Sequence, residues 1–371
     1  MSQKNIALVS NNYWTLYKFR YDVIQMLIKE GYSVHLIAKD DGHYTYFKHK
    51  NIHIHFLSLE ERGVNIFKEV ATFIAIYKLH KKIMPSIIFN FTLKPNIYSN
   101  IAARLLNIKT ISMITGLGHV FISANHILRE IVIFMLKVSL KKTNEIWFTN
   151  NFDRDYFTKR KIIKKQRTSI VPGAGAKIPK KPLIKKKSSI KLTFIMIARL
   201  LLEKGTKEFL DAANFFKDDA YKDFILIGQH TNDKDHISKK ILSEMDEKKI
   251  IQYHSYTDNI DKFFSDADCI IHPSYREGVS TVLLEAASHK IPIITTRSPG
   301  CIDIIQSEQY GFLCHRSNSK SLIEQIIKFS DTKKNSPEIL DSMIDRTYSH
   351  ILKNFDRSII INKFKETAKS Y

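Results

Sequence analysis

Cysteine is scarce in this sequence, no apolar run is long, and acidic residues vanish from one wide stretch. The three cysteines, Cys269, Cys301 and Cys314, form no Cys-x-x-Cys spacing and leave an odd count. That fits a reducing cytoplasm better than a disulfide scaffold. No segment approaches the roughly 20 uninterrupted apolar residues that a membrane-spanning helix needs. The first ten residues run straight into a strand-like segment, without the basic-then-apolar order of a secretion signal. A soluble or peripheral protein is therefore expected. Between Asp155 and Glu203 there is no acid at all, while Lys and Arg recur from Lys159 to Arg199. With a net charge of +21, such a field attracts anions: nucleic acid, an anionic membrane leaflet or phosphorylated substrates.

What is present is the material of two globular domains. The 371 residues are 44% apolar, too many for one ordinary core. Short apolar runs at Ile6–Val9, Ser33–Ile37, Ile54–Leu57, Ser86–Asn90, Thr110–Ile114 and Glu145–Phe148 alternate with helically spaced segments such as Ile66–Lys82 and Ile97–Leu106. Strand and helix in alternation predict an α/β fold with a doubly wound parallel sheet. Pro, Gly and Lys crowd residues 173–190, which read as a linker. The alternation then restarts with Lys191–Ile197, Phe224–Ile227, Ile250–His254, Cys269–His272 and Pro292–Thr295. The expected layout is residues 1–172, the linker, residues 191–347, and a closing helix over 348–371 that can belong to either domain. Open parallel sheets bind ligands beyond the carboxyl ends of their strands, so a cleft facing both sets of strand ends is the expected site.

Two local patterns carry chemistry. Behind the strand ending at Ile197 come Arg199 and Lys204, and then Gly205, which admits a helix. Helix-start amides flanked by two cations suit a diphosphate. Behind the strand ending at His272 comes Pro273-Ser-Tyr-Arg-Glu-Gly-Val-Ser-Thr-Val-Leu-Leu-Glu285. It places Glu277 in a loop, Gly278, Val279 and Ser280 at a helix start, and Glu285 in the helix. Carboxylates there can accept from the paired hydroxyls of ribose and hexose rings. The competing reading makes Glu277 a surface acid and Glu285 a solvated one. Against it, Glu285 has Leu283, Leu284, Ala286 and Ala287 around it, and a buried carboxylate needs partners.

The sequence ARLLLEKG followed later by PSYREGVSTVLLEA resembles the retaining glycosyltransferases of family 4, which have the two-domain GT-B fold. The resemblance implies that Arg199 and Lys204 bind the donor diphosphate, that Glu277 meets the transferred sugar and Glu285 the ribose. It also implies that amides from Ser280 through Thr281 to Val282 touch phosphate or sugar. Segments around Lys94 (Thr92–Tyr98) and around Thr115, Gly116 and His119 (Thr115–Phe121) look like a subgroup that builds surface polysaccharide, such as O-antigen or capsule, on polyprenyl diphosphate. The implied donor is a nucleotide-sugar, commonly a UDP-linked hexose or N-acetylhexosamine. The implied acceptor is a polyprenyl-diphosphate-linked saccharide. There are departures: Ser280 stands where many members have Pro, Ser10-Asn11-Asn12 replaces a glycine pair, and Lys177 replaces an acid. The family's catalytic-loop His has no clean match, its place being filled by Thr115 or Gly116 with His119 a few residues on.

With these cations and amides supplying the positive potential, neither a metal nor a cofactor is required. The Asp-x-Asp pairs at 153/155, 233/235 and 266/268 do not directly end an apolar strand. Helices 66–82 and 127–142 carry apolar faces bordered by Lys and Arg, which suit either packing on a sheet or lying on an anionic membrane surface. The expected location is the inner face of the cytoplasmic membrane. A nucleic-acid-binding or other polyanion-binding protein is the rival reading, but it lacks interleaved aromatics and a recognisable module. A nucleotide-sugar epimerase of related fold would not need the Glu-x7-Glu helix. A two-carboxylate glycosidase leaves the basic turn without a role.

Overall fold

The computed structural model describes residues 4–59, 65–116, 126–180, 191–230, 236–257 and 259–371. The chain forms two compact units, Met1–Ala174 with Ser358–Tyr371 and Gly175–Arg357.

In the first unit the strands are β1 (Asn5–Asn12), β2 (Ser33–Lys39), β3 (Ile52–Phe56), β4 (Ile87–Phe91), β5 (Lys109–Ile114), β6 (Glu145–Phe148) and β7 (Thr168–Ile170). They make one parallel sheet in the order β3-β2-β1-β4-β5-β6-β7. Its helices are α1 (Tyr13–Lys29), α2 (Ile66–Ile83), α3 (Leu93–Leu105), α4 (His126–Ser139) and α5 (Asn151–Lys159). The central strands are buried on both faces, as parallel strands covered by helices must be. Where the family pattern has glycines, β1 passes directly into α1. Asn12 makes this possible, because its side chain accepts from Thr15 N at 3.0 Å and caps the helix.

β1 and β4 lie side by side where the strand order reverses, and their following loops are joined there. Thr92 Oγ1 donates to Asn11 Oδ1 at 2.8 Å. Below it, buried asparagines tie α3 to the sheet. Asn96 Nδ2 donates to Met113 O at 2.9 Å, Asn100 Nδ2 to Ser112 Oγ at 2.7 Å, and Asn90 Nδ2 to Asn100 Oδ1 at 2.8 Å.

The second unit holds β8 (Leu192–Ile197), β9 (Lys222–Ile227), β10 (Gln252–His254), β11 (Cys269–His272), β12 (Ile293–Thr296) and β13 (Phe312–Cys314). These strands are parallel in the order β10-β9-β8-β11-β12-β13. Its helices are α6 (Thr206–Phe215), α7 (Lys239–Glu247), α8 (Asp261–Asp266), α9 (Thr281–Ser288), α10 (Ser319–Asn335) and α11 (Pro337–Phe355). Both sheets are of the expected class, but β7 and β13 add short strands that the sequence pattern did not show.

The closing helix differs from the expected one. It is two helices, α11 and α12 (Arg357–Lys369), separated at Asp356, whose backbone is extended. Asp356 forms a parallel bridge with Ala176, and Arg357 N donates to Ala176 O at 2.9 Å. Ala176 lies within the stretch expected as linker, yet it is buried and belongs to the second unit. Helix α12 is part of the first unit. Phe364 packs on Phe89 and Trp147 with ring centroids at 4.9 and 4.8 Å, and Lys365 and Lys369 reach Glu30 at 2.6 and 2.9 Å.

Each of the two amphipathic helices buries part of its apolar surface and leaves part of it exposed. In α4, Val132, Ile133 and Leu136 are buried, while Ile127, Ile131 and Phe134 are exposed. In α2, Ile76 and Ile83 are buried, while Ile66, Phe67, Val70 and Ile74 are exposed, Phe67 to 88%. Both helices pack against α3. Among the described residues no helix is long and apolar enough to cross a membrane.

Candidate active site

In the second sheet β8 and β11 are neighbours, with β9 and β10 on one side and β12 and β13 on the other. The strand order reverses between β8 and β11, and it is beyond the carboxyl ends of strands at such a point that open parallel sheets bind ligands. Two contacts draw the loops leaving β8 and β11 together. Tyr275 N donates to Glu203 O at 2.9 Å, and Ser274 Oγ to the same carbonyl at 3.4 Å. Gly205 makes this approach possible. It has φ +77°, and a Cβ there would collide with the Pro273 carbonyl.

The approach brings Lys204 Nζ to 2.7 Å from Glu277 Oε1, with each side chain only 14% exposed. His272 Nε2, at the end of β11, lies 3.0 Å from the same oxygen. It is also 3.1 Å from Ser280 Oγ, the hydroxyl that caps α9 and accepts from Leu283 N at 3.4 Å. The loop after β12 closes the third side. Glu277 N donates to Pro299 O at 2.9 Å, and Gly300, at φ +79°, passes so near the Glu277 backbone that a Cβ would collide with it. Burial alone would raise the pKa of Glu277. The Lys204 charge and the His272 hydrogen bond outweigh burial together and hold the carboxyl far below its ordinary value of about 4.5.

Behind this cluster Tyr275 OH donates to the buried Glu208 at 2.7 Å, pinning the loop to the first turn of α6. Glu285 is half-buried in the second turn of α9, on the same face as Thr281, while Leu283, Leu284, Ala286 and Ala287 pack inward. The amides of Thr281 and Val282 lie in the first turn, where no intrahelical acceptor exists. Gly278 and Val279 are half-buried in the loop before the cap, and Arg199 is exposed just beyond β8. Lys204, Glu277 and Ser280 are thus drawn together around His272, which sequence reasoning passed over as the last residue of a buried strand. A histidine ending an apolar strand directly before Pro273-Ser274 was the available signal.

Of the remaining expected site residues, Thr115 and Gly116 follow β5, and His119 lies outside the described residues. Lys94 sits in the first turn of α3 and is paired with Glu69 of α2. Two of the Asp-x-Asp pairs have structural duties. Asp153 receives a hydrogen bond from Asn150 Nδ2 at 3.3 Å, while Asp268 accepts from Thr193 N at 2.8 Å and pairs with Lys333.

Residues 177–349 match the family of glycosyl transferases group 1, and residues 5–150 match the glycosyl transferase 4-like family. Only residues 151–176 and the two ends lie outside these matches. The chain belongs to the glycosyltransferases of this two-domain type. It is 24% identical over 345 residues to the N,N'-diacetylbacillosaminyl-diphospho-undecaprenol α-1,3-N-acetylgalactosaminyltransferase of Campylobacter jejuni, covering 89% of this chain and 90% of the relative. A UDP-Gal:α-D-GlcNAc-diphosphoundecaprenol α-1,3-galactosyltransferase of Escherichia coli is likewise 24% identical over 355 residues, covering 92% of this chain and 90% of the relative. Among solved structures, Anabaena HepE in complex with UDP and glucose aligns with a TM-score of 0.77 at 14% identity, over all of both chains. That likeness shows the GT-B fold of this transferase.

The depressed carboxyl of Glu277 makes stability depend on acid in a definite direction. The Lys204–Glu277–His272 contribution is fully present above the unfolded-state value of about 4.5 and is lost as pH falls toward the lower folded-state value. Melting temperatures of wild type and Glu277→Gln, measured from pH 7 to pH 3, are expected to converge below about pH 4.5 because only the wild type loses this contribution. Parallel curves across that range would contradict the assignment.

Proposed function

We propose that the second unit binds a nucleoside-diphosphate sugar and that the enzyme transfers its hexose or N-acetylhexosamine with retention at the anomeric carbon. The observation that carries this reading is the Lys204–Glu277 contact at the switch point of the second sheet. A lysine ammonium has three N–H donors. One holds Glu277, which leaves the others for a diphosphate oxygen. Glu277 in turn accepts from hydroxyls of the transferred sugar, so both ends of the scissile bond meet one ion pair. Arg199, together with the amides of Thr281 and Val282, adds positive potential for the departing diphosphate. Glu285 accepts from the ribose hydroxyls. In this scheme fixed cations and amides stabilise the leaving group, so a metal has no step to perform. Uridine is the favoured base, since the Escherichia coli relative is named for UDP-Gal and HepE was solved with UDP.

The acceptor is a polyprenyl-diphosphate-linked saccharide in surface polysaccharide synthesis, as the names of both curated relatives suggest. The first unit recognises it through Lys94, Thr115 and Gly116, with His119 as its contribution to the catalytic site. An acceptor phosphate reaching Lys94 must compete with Glu69 for the ammonium. The exposed apolar side chains of α2 and α4, bordered by Lys78, Lys81, Lys82, Arg129 and Lys137, suit an anionic inner-membrane surface. The rival polyanion-binding reading has less support. In the basic stretch Arg160 pairs with Glu130, Arg167 lies 4.0 Å from Glu145, and Lys191 lies 3.1 Å from Asp223.

Calorimetric titration with UDP and GDP in the presence of chelator tests the donor site. One nucleotide is expected to bind, with at least about a tenfold loss in Lys204→Ala and in Glu285→Ala, the size of one charge-assisted hydrogen bond. Failure of both nucleotides to bind the wild type would contradict the donor reading. For the membrane, sedimentation with phosphatidylglycerol vesicles is expected to exceed that with phosphatidylcholine. The Phe67→Ser/Phe134→Ser variant is expected to bind roughly tenfold more weakly. Equal binding by the variant would contradict the assigned surface.

A further inference from the structure

The donor-site reading accounts for Lys204 on Glu277 but assigns no role to the second donor. We propose that His272 is a positioning residue for sugar transfer. It contacts no substrate, and it fixes Glu277 relative to the start of α9 so that the carboxylate meets the sugar in one orientation. The inference rests on the proposal that Glu277 receives the transferred sugar.

A single ring nitrogen makes both connections, to Glu277 Oε1 at 3.0 Å and to Ser280 Oγ at 3.1 Å. Because the carboxylate is ionised and can only accept, the proton on the ring belongs on Nε2. His272 Nδ1 is buried and has no hydrogen-bond partner among the described residues. A side chain kept for packing alone would not bury a polar nitrogen at this position. The ring is also set in place by its backbone. His272 O accepts from Thr295 Oγ1 of β12 at 2.7 Å, and the residue is 3% exposed.

The two donors on Glu277 have different prospects when substrate arrives. Lys204 is shared with the diphosphate, and its geometry changes as that group binds and departs. His272 is committed to the protein alone, so it holds the carboxylate in the same place before and after the phosphate charge moves. Ser280 extends the same constraint to the helix whose first turn faces the phosphates. One rigid group therefore connects the sugar contact and the phosphate contact.

Glutamine and asparagine separate this role from simple packing. The amide nitrogen of His272→Gln can reach the place of Nε2, whereas that of His272→Asn reaches only the place of Nδ1. UDP release is measured with whichever of UDP-glucose, UDP-galactose, UDP-N-acetylglucosamine or UDP-N-acetylgalactosamine the wild type turns over. His272→Asn is expected to lose about thirtyfold or more in kcat with donor KM changed less than about threefold, and His272→Gln to stay within about fivefold of wild type. Equal kcat values for the two variants, with UDP affinity retained in both, would overturn the role. Wild-type turnover by Glu277→Ala would overturn the site reading and this inference together, whereas an inactive Glu277→Ala with equal Gln and Asn variants removes His272 alone. A measurement that needs no His272 variant is 15N-histidine spectroscopy of the wild-type chain. It is expected to show His272 as the Nε2–H tautomer, shifted in Glu277→Gln. An Nδ1–H tautomer would overturn the proposal.

Discussion

Holding Lys204 against Glu277 is the constraint around which the second unit is arranged. Two oppositely charged groups, each only 14% exposed, lose most of their hydration and are stable together only with good geometry and further hydrogen bonds. Every nearby feature serves that geometry. Gly205 lets the cationic turn sit against Pro273, Tyr275 ties the acidic loop to Glu203 and Glu208, and Gly300 lets a third loop close over the Glu277 backbone. His272 supplies a further hydrogen bond. Because the pair sits where the strand order reverses, the same contact that holds the loops together also places a cation and an anion at the strand ends where open parallel sheets bind ligands.

The first unit solves a related problem with neutral groups. Its switch-point loops are joined by Thr92 and Asn11, and its buried asparagines anchor α3 without any charge. Charge is kept for the outside, where Lys94 meets Glu69 and where α2 and α4 border their exposed apolar side chains with Lys and Arg. That division suits the roles proposed for the two units, an anionic small molecule at the second and a lipid-linked saccharide at the first.

Much of this was legible in the residues because it is local. Alternating strands and helices marked both sheets, and a strand followed by Arg199, Lys204 and Gly205 marked the basic turn. What was missed depends on distant partners. The three-residue strands β7 and β13 are too short to show a period. The break at Asp356 has no proline or glycine to announce it, since its cause is the pairing with Ala176, far away in the chain. His272 read as the polar end of a buried strand, and only the fold brings Ser280 and Glu277 to the same ring nitrogen. Helices α2 and α4 are apolar around much of their circumference, so spacing could not divide the buried side chains from the exposed ones.

The central claim, that Glu277 acts on the sugar while the nucleotide is held by other groups, is tested most directly by comparing binding with turnover in Glu277→Gln. UDP affinity by calorimetry is expected to stay within about threefold of wild type while kcat/KM for the nucleotide-sugar falls by about a hundredfold or more, a loss of roughly 2.7 kcal/mol of transition-state stabilisation. Unchanged turnover, or a loss of UDP affinity as large as the loss of turnover, would contradict the account.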